Sequence, residues 1–335
     1  MVLKCKNSNL EALLMFFFFF LVLFFPSLTM ILLGQSSFTP GIVAASLCII
    51  FILGIYFYLN RTLEFERSTV FVLLMIFFCC FSITLHLFIV NQQLPMLVEI
   101  DTNRFIFSFA CLFIVALSAF LAALYLKYNS RNSHFYGAVK VSFIILLING
   151  LISLTKIDFL ATGLAKPTFL FLEPSHFALV LTPFLIYFCL TLSRYKALLL
   201  LLVVGGWAGY IQNLTLLIGV MLAFTISTRH NLIFAISLFI LFLAALIAIF
   251  GIDSLSYFTD RLVLSGDNDN LSVLVLFQGW QNAIETLTTQ SYLGGGFQQF
   301  GVTTVSGSLS DKLYSLLGFN INQFDGGATA PKLVG

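Results

Sequence analysis

Charge is what this chain has least of. Lys, Arg, Asp and Glu together make up 9% of its 335 residues, whereas soluble domains carry about a quarter. That shortage excludes an ordinary water-soluble globule. No zinc-ligand spacing joins the six cysteines to a histidine, so they read as small apolar residues and predict neither a metal centre nor a disulfide. The basic residues leave no nucleic-acid footprint. There is no internal repeat. The glycines of "GGGFQQFG", residues 294 to 301, follow no βαβ pattern, which excludes a dinucleotide site. Asp267-Asn268-Asp269-Asn270 lacks the sixth-position glycine and late glutamate of an EF-hand loop. No cofactor is called for.

What is there is apolar. Hydrophobic residues make up 60% of the chain and 40 of the residues are Phe, five of them in an unbroken run from Phe16 to Phe20 that reads as lipid-facing bulk. Lys4 and Lys6 before an apolar stretch resemble the start of a secretory signal. That stretch continues from about Ala12 to Leu33 without a small-residue cleavage site, so a retained first helix is expected. Apolar stretches near 20 residues cross a bilayer core of about 30 Å. Nine such spans are predicted, at about 12–33, 40–59, 69–90, 104–126, 139–157, 176–193, 197–211, 213–228 and 231–250. The expected fold class is therefore all-α, a polytopic membrane helical bundle. The short seventh and eighth spans form a hairpin turning at Gln212-Asn213.

Basic residues set orientation. With the N-terminus cytoplasmic, ten of the 16 Lys and Arg fall in inner segments and eleven of the 14 Asp and Glu in outer ones. The chain then divides into a transmembrane bundle, residues 1–250, and a long outer segment, residues 251–335. In that segment "NLSVLVLFQGWQNAIETLTTQ" predicts an amphipathic helix. Gln278, Gln281, Asn282, Glu285 and Thr289 form a polar stripe, with Trp280 and Ile284 away from it. Such a helix suits a membrane interface, or alternatively the wall of a substrate groove. A further short helix is expected near Asp311 to Leu317, with irregular chain around it. His86, in mid-span, reads as a satisfied core residue.

The chemistry-bearing cluster is "EPSH": Glu173, Pro174, Ser175 and His176, at the outer start of the sixth span. Pro is favoured in the first turn of a helix, and a carboxylate there faces free backbone N–H groups and the positive end of the helix dipole. One reading is thus a helix cap. The other is a carboxylate and an imidazole held at the mouth of the bundle, either of which could take a proton from an attacking hydroxyl. Outward cations are few. The planar fork of Arg261 suits phosphate oxygens or else anchors the chain at the interface by snorkelling; Arg104 and Lys156 read as anchors.

Taken together, "FLEPSHFA", "QNLTLLIG", "NLSVLVLFQGW", "LGGGFQQFG" and "DGGATAPKLVG" resemble the Wzy-type polymerases of bacterial polysaccharide repeat units, over roughly residues 165 to 335. The resemblance implies a bacterial inner-membrane enzyme with its N-terminus in the cytoplasm and its active site on the periplasmic face. It joins undecaprenyl-diphosphate-linked oligosaccharide units by glycosyl transfer, within membrane lipid and with a chain-length regulator as a further partner. Carried over by position, Glu173 is the base or acceptor orienter and His176 the second choice. Arg261, helped by Lys166, binds diphosphate. Asn270, Ser272 and Gln278 hold sugar hydroxyls or phosphate oxygens, and Gln212 and Asn213 line the groove floor. No metal is implied. Members of the family continue through further spans, so the resemblance also implies a C-terminally truncated chain. A ligase transferring polysaccharide to lipid A core is the near alternative. A lipid-linked oligosaccharide flippase is the distant one, against which the nearly charge-free span interiors speak.

Overall fold

The computed structural model describes residues 8–34, 38–60, 67–91, 100–130, 132–160, 168–171, 174–228, 271–289, 292–299 and 309–318. Eleven helices are found there: α1 (Ser8–Leu23), α2 (Phe25–Leu32), α3 (Thr39–Asn60), α4 (Arg67–Asn91), α5 (Thr102–Asn129), α6 (Ser133–Leu154), α7 (Pro174–Thr191), α8 (Arg194–Tyr210), α9 (Leu214–Thr228), α10 (Leu271–Thr289) and α11 (Ser310–Leu317). Among the described residues there is no strand, only an isolated bridge between Thr168 and Phe171. Five helices, α3 to α7, are long and apolar enough to cross a membrane, and α1 with α2 makes a sixth if counted as one bent span. The expected ninth span, 231–250, lies outside the described residues.

The first span is not straight. α1 and α2 meet at a 55° bend, and Pro26, at the start of α2, accounts for it. Its ring displaces the carbonyl one turn back, and it has no N–H to donate. The Thr29 hydroxyl donates to the Pro26 carbonyl at 2.8 Å. Gly41 opens α3 against this bend, where a Cβ would lie 2.1 Å from the Thr29 hydroxyl oxygen.

The phenylalanine run does not all face lipid, as its composition suggests. Successive helical residues point about 100° apart, so the run divides. Phe18 is buried with Met15, Leu21 and Phe24, whereas Phe16, Phe17 and Phe20 are exposed. Phe18 packs on Tyr125 of α5, and Phe19 on Phe135 of α6 and Phe184 of α7.

The helices fall into two compact units. The first joins Met1–Thr62 with Ser118–Phe258, and the second joins Leu63–Leu117 with Thr259–Gly335, so α5 gives its two halves to different units. The core of the first unit is built around α7, with Phe177, Leu181 and Leu185 fully buried among residues of α6, α8 and α9. Phe143 stacks on Phe188 at 4.3 Å. α7 and α9 approach closely because Gly219 faces Thr182: a Cβ at 219 would lie 2.2 Å from its hydroxyl oxygen. Small residues at such crossings let helix backbones come together, the main packing device where the surrounding solvent is itself apolar. Asn132 caps α6 by accepting from the His134 N–H, and its amide reaches the Glu11 carboxylate at 3.5 Å, tying the start of α6 to the start of α1.

In the second unit the expected helices near 271–290 and 311–317 are present as α10 and α11. The polar stripe of α10 is split. Gln278 and Asn282 are buried, together with Thr286, whereas Glu285 and Thr289 are exposed, as are Trp280 and Ile284. The Gln278 amide donates to the Asn282 side-chain oxygen at 3.2 Å, one turn along. Lipid tolerates an exposed Trp and Ile, whereas amides need partners that only protein or water supplies. Residues 294–299 are also better fixed than their glycines suggest. The fully buried Gln299 accepts from the Asp101 N–H at 3.1 Å and donates to the Asp101 carbonyl at 3.3 Å. Phe297 meets Phe105 edge-on. His86, expected in the core, is half-buried near the end of α4, with Nε2 2.7 Å from the Leu293 carbonyl oxygen.

Candidate functional site

α7 begins at Pro174, as the "EPSH" motif predicts. Three contacts fix its first turn. The buried Asn213 donates from Nδ2 to the Pro174 carbonyl at 2.6 Å. The same residue accepts from the Leu216 N–H through Oδ1 at 3.1 Å, capping α9. Phe177 packs on Trp207 of α8 and on Phe171, their ring centroids 5.4 and 5.6 Å away. One amide thus joins the start of α7 to the turn between α8 and α9, whose backbone is set by Gln212 at a φ of 51°. The starts of α7 and α9 and the end of α8 therefore lie at the same end of the bundle.

His176, on this first turn, is half-buried, and its ring meets Phe38 edge-on with centroids 4.0 Å apart. Ser175 beside it is also half-buried. Held this way, an imidazole has its orientation defined while part of it stays accessible, which is what proton transfer to or from a bound hydroxyl requires. The helix dipole stabilises negative charge at this end of α7.

Of the other residues named from the sequence, Gln212 and Asn213 are brought to this first turn, Asn213 as a structural tie and Gln212 as the left-handed residue of the turn. Gln278 lies in α10, in the second unit, fully buried. Its Oε1 has no hydrogen-bond partner among the described residues. Ser272 lies in α10 as well. Glu173, Lys166, Arg261 and Asn270 lie outside the described residues.

Two buried polar residues were missed by the sequence reading. Asn149, in mid-apolar α6, is 1% exposed and accepts from the Leu170 N–H at 2.9 Å, anchoring the segment that leads towards the motif. Trp207 lies directly over Gly150, where a Cβ would fall 1.1 Å from the indole ring. Asn149 Nδ2 and the Trp207 indole N–H are both buried donors with no acceptor among the described residues. Unpaired buried donors are costly, so each is suited to a water or a ligand oxygen. The signal was available: "LLINGLI" sets an amide and a glycine in an otherwise apolar span.

No family model, no curated protein and no solved structure matches this chain.

Proposed function

We propose that this chain is a membrane glycosyltransferase of the polysaccharide repeat-unit polymerase type. It joins undecaprenyl-diphosphate-linked oligosaccharides at the periplasmic face of the bacterial inner membrane. The observation that carries the reading is the first turn of α7. Proline, hydroxyl and imidazole of the motif open this helix, next in sequence to Glu173, with His176 held against Phe38 and the turn tied by Asn213 to the α8–α9 hairpin. In the reaction, Glu173 accepts the proton of the attacking sugar hydroxyl as the new glycosidic bond forms, and His176 orients that hydroxyl. The bond to the lipid diphosphate breaks as its electrons leave with the phosphate. Arg261 and Lys166 neutralise that leaving group. Asn270, Ser272 and Gln278 take sugar hydroxyls.

The N-terminus is cytoplasmic and nine spans place residues 251–335 outside, on the distribution of basic residues. Two contacts support this alternation: the Asn132–Glu11 pair groups two ends assigned inside, and the Asn213–Pro174 bond groups two assigned outside. Cysteines placed at Ser308 and Asn132 test it. An impermeant thiol reagent should label position 308 and spare 132, and the reverse pattern removes the topology.

Catalysis is tested in cells that make the polymer only from this protein. Glu173→Gln should abolish long chains while single-unit product remains, since an amide keeps the shape but cannot accept the proton. His176→Gln should shorten chains with a smaller loss. Normal long chains from both variants would reduce the motif to a helix cap.

A further inference from the structure

Just before α7 the chain makes a tight turn over residues 168–171. Its ends bond to each other. The Phe171 N–H donates to the Thr168 carbonyl at 2.8 Å, and the Thr168 hydroxyl donates to the Phe171 carbonyl. Between them Phe169 takes a left-handed backbone, φ 37°. That conformation is uncommon for a bulky side chain and persists only where the surroundings over-determine it. Here the Phe169 ring meets Phe159 edge-on, with centroids 6.1 Å apart. Thr168 and Phe171 are both buried.

The turn is pinned from α6 and presses on α7. Leu170, within it, donates its N–H to Asn149 Oδ1 at 2.9 Å. Asn149 is buried in an otherwise apolar span. The next residue, Phe171, packs its ring on Phe177, the neighbour of His176 in sequence, and on Phe24 at the α1–α2 bend. A continuous series of contacts thus runs from an amide in α6 to the first turn of α7. Asn213 holds the same turn by a direct bond from the α8–α9 hairpin. Two amides therefore brace it, one directly and one through Phe171.

Two magnitudes say where the loss of the first brace would be felt. One hydrogen bond contributes little net to stability, because water and other groups compete for its partners. A misplacement of about 1 Å at a reacting group can cost about a hundredfold in rate. The fold can spare the Asn149 bond more easily than the site can.

We infer that Asn149 is a positioning residue: through the 168–171 turn and Phe171 it fixes the first turn of α7 and with it the orientation of His176. The inference deepens the proposed function and rests on it for what that orientation serves.

Three variants of the full chain test it. Asn149→Leu keeps the size of the side chain and loses the acceptor. Asn149→Ala does so without overpacking, should the leucine variant fail to fold. Asn149→Asp keeps the acceptor, since a carboxyl buried in an apolar span stays protonated. The nitrogen it replaces has no partner among the described residues. Asn132→Ala is the control, because it removes the cap at the other end of α6 and leaves the turn alone.

The first measurement is the imidazole signal of His176 in detergent micelles. The chain has four histidines, so His176→Gln assigns it. Phe38, its ring 4.0 Å away, makes the signal sensitive to orientation. The signal should move in Asn149→Leu, return in Asn149→Asp and stay in place in Asn132→Ala. The second measurement is polymer yield at equal protein level, in cells that make the polymer only from this chain. It should fall about tenfold or more in Asn149→Leu, recover in Asn149→Asp and hold in Asn132→Ala. A His176 signal unmoved in Asn149→Leu, or moved as far in Asn132→Ala, overturns the positioning role. So does full polymer yield from Asn149→Leu, which leaves the enzyme reading intact. A signal that follows the variants as expected, in a chain that makes no polymer, does the reverse: Asn149 still sets the turn, and the enzyme reading falls.

Discussion

Of the most apolar stretch of α6, 44% is buried, and of the corresponding stretch of α4, none is. The two helices belong to different units and are equally unmistakable as membrane sequence. The first unit is held by close helix crossings, Gly150 under Trp207, Gly219 against Thr182 and Gly41 against Thr29, and by stacked aromatics. The second is held near its helix ends by polar contacts: Gln299 on the Asp101 backbone, His86 at the Leu293 carbonyl, and Gln281 accepting from the Leu309 N–H at 3.4 Å. Lipid offers no hydrophobic reward for bringing helices together, so association must come from close packing or from hydrogen bonds. At the candidate site this chain combines close packing with the Asn213–Pro174 hydrogen bond, and it relies more on hydrogen bonds where the second unit leaves its apolar helices.

The comparison breaks most visibly at Gly150. A methyl there would occupy the space of the indole, so Gly150→Ala should lower the thermal midpoint in detergent by several degrees, and Gly150→Leu should leave little folded protein. Overpacking of this kind costs about 1–3 kcal/mol or more. Gly54→Ala and Gly137→Ala, where a Cβ meets nothing within 4 Å, should be neutral or slightly stabilising, as expected for helix positions with open space. Equal behaviour of the three alanine variants would mean that Trp207 does not fix the α6–α8 crossing. A smaller effect is expected at Asn213. Its alanine variant loses the α9 cap and the bond to Pro174 together, about 2 kcal/mol. Asn213→Asp keeps the cap and should recover about half. Identical losses in Ala and Asp would show that the cap contributes nothing.

The helices of both units were legible because apolar length is a strong signal. The start of α7 at Pro174 and the turn at Gln212-Asn213 were legible because proline and a polar pair punctuate an apolar run. What was not legible is which face of each helix turns inward. The periodicity of α10 separates polar from apolar residues, but in a membrane protein either face can be the outer one, so Gln278 and Asn282 could be buried while Trp280 faces out. The even greasiness of the run from Phe16 to Phe20 hides in the same way that Phe18 belongs to the core. Asn149 escaped because its partner, the Leu170 N–H, is 21 residues away and marked by no motif. Asn213 was legible as a polar residue at a turn, but its hydrogen bonds to the Pro174 carbonyl and from the Leu216 N–H were not, because both depend on how the helices meet.

The finest test concerns Gln299 in the second unit. Its amide accepts from one backbone group of Asp101 and donates to the other. The Asp101 carboxylate in turn accepts from the Arg104 N–H at 2.8 Å, capping α5. Gln299 therefore steadies the cap of a helix through the backbone of the capping residue. Asp101 is exposed, so water can replace both bonds, and Gln299→Ala should cost only about 0.5–1.5 kcal/mol. Gln299→Glu keeps the acceptor, loses the donor and buries a charge near a carbonyl oxygen, and should cost more than alanine. Global unfolding is too blunt to read so small a change, but hydrogen exchange resolves it. Amides of residues 101–105 and 293–299 should exchange faster in Gln299→Ala, while those of α6 to α9 keep their protection, because opening is confined to the cooperative unit that loses the bond. Faster exchange throughout α6 to α9 would mean that the two units open as one. No change at residues 101–105 would mean that the α5 cap stands without Gln299.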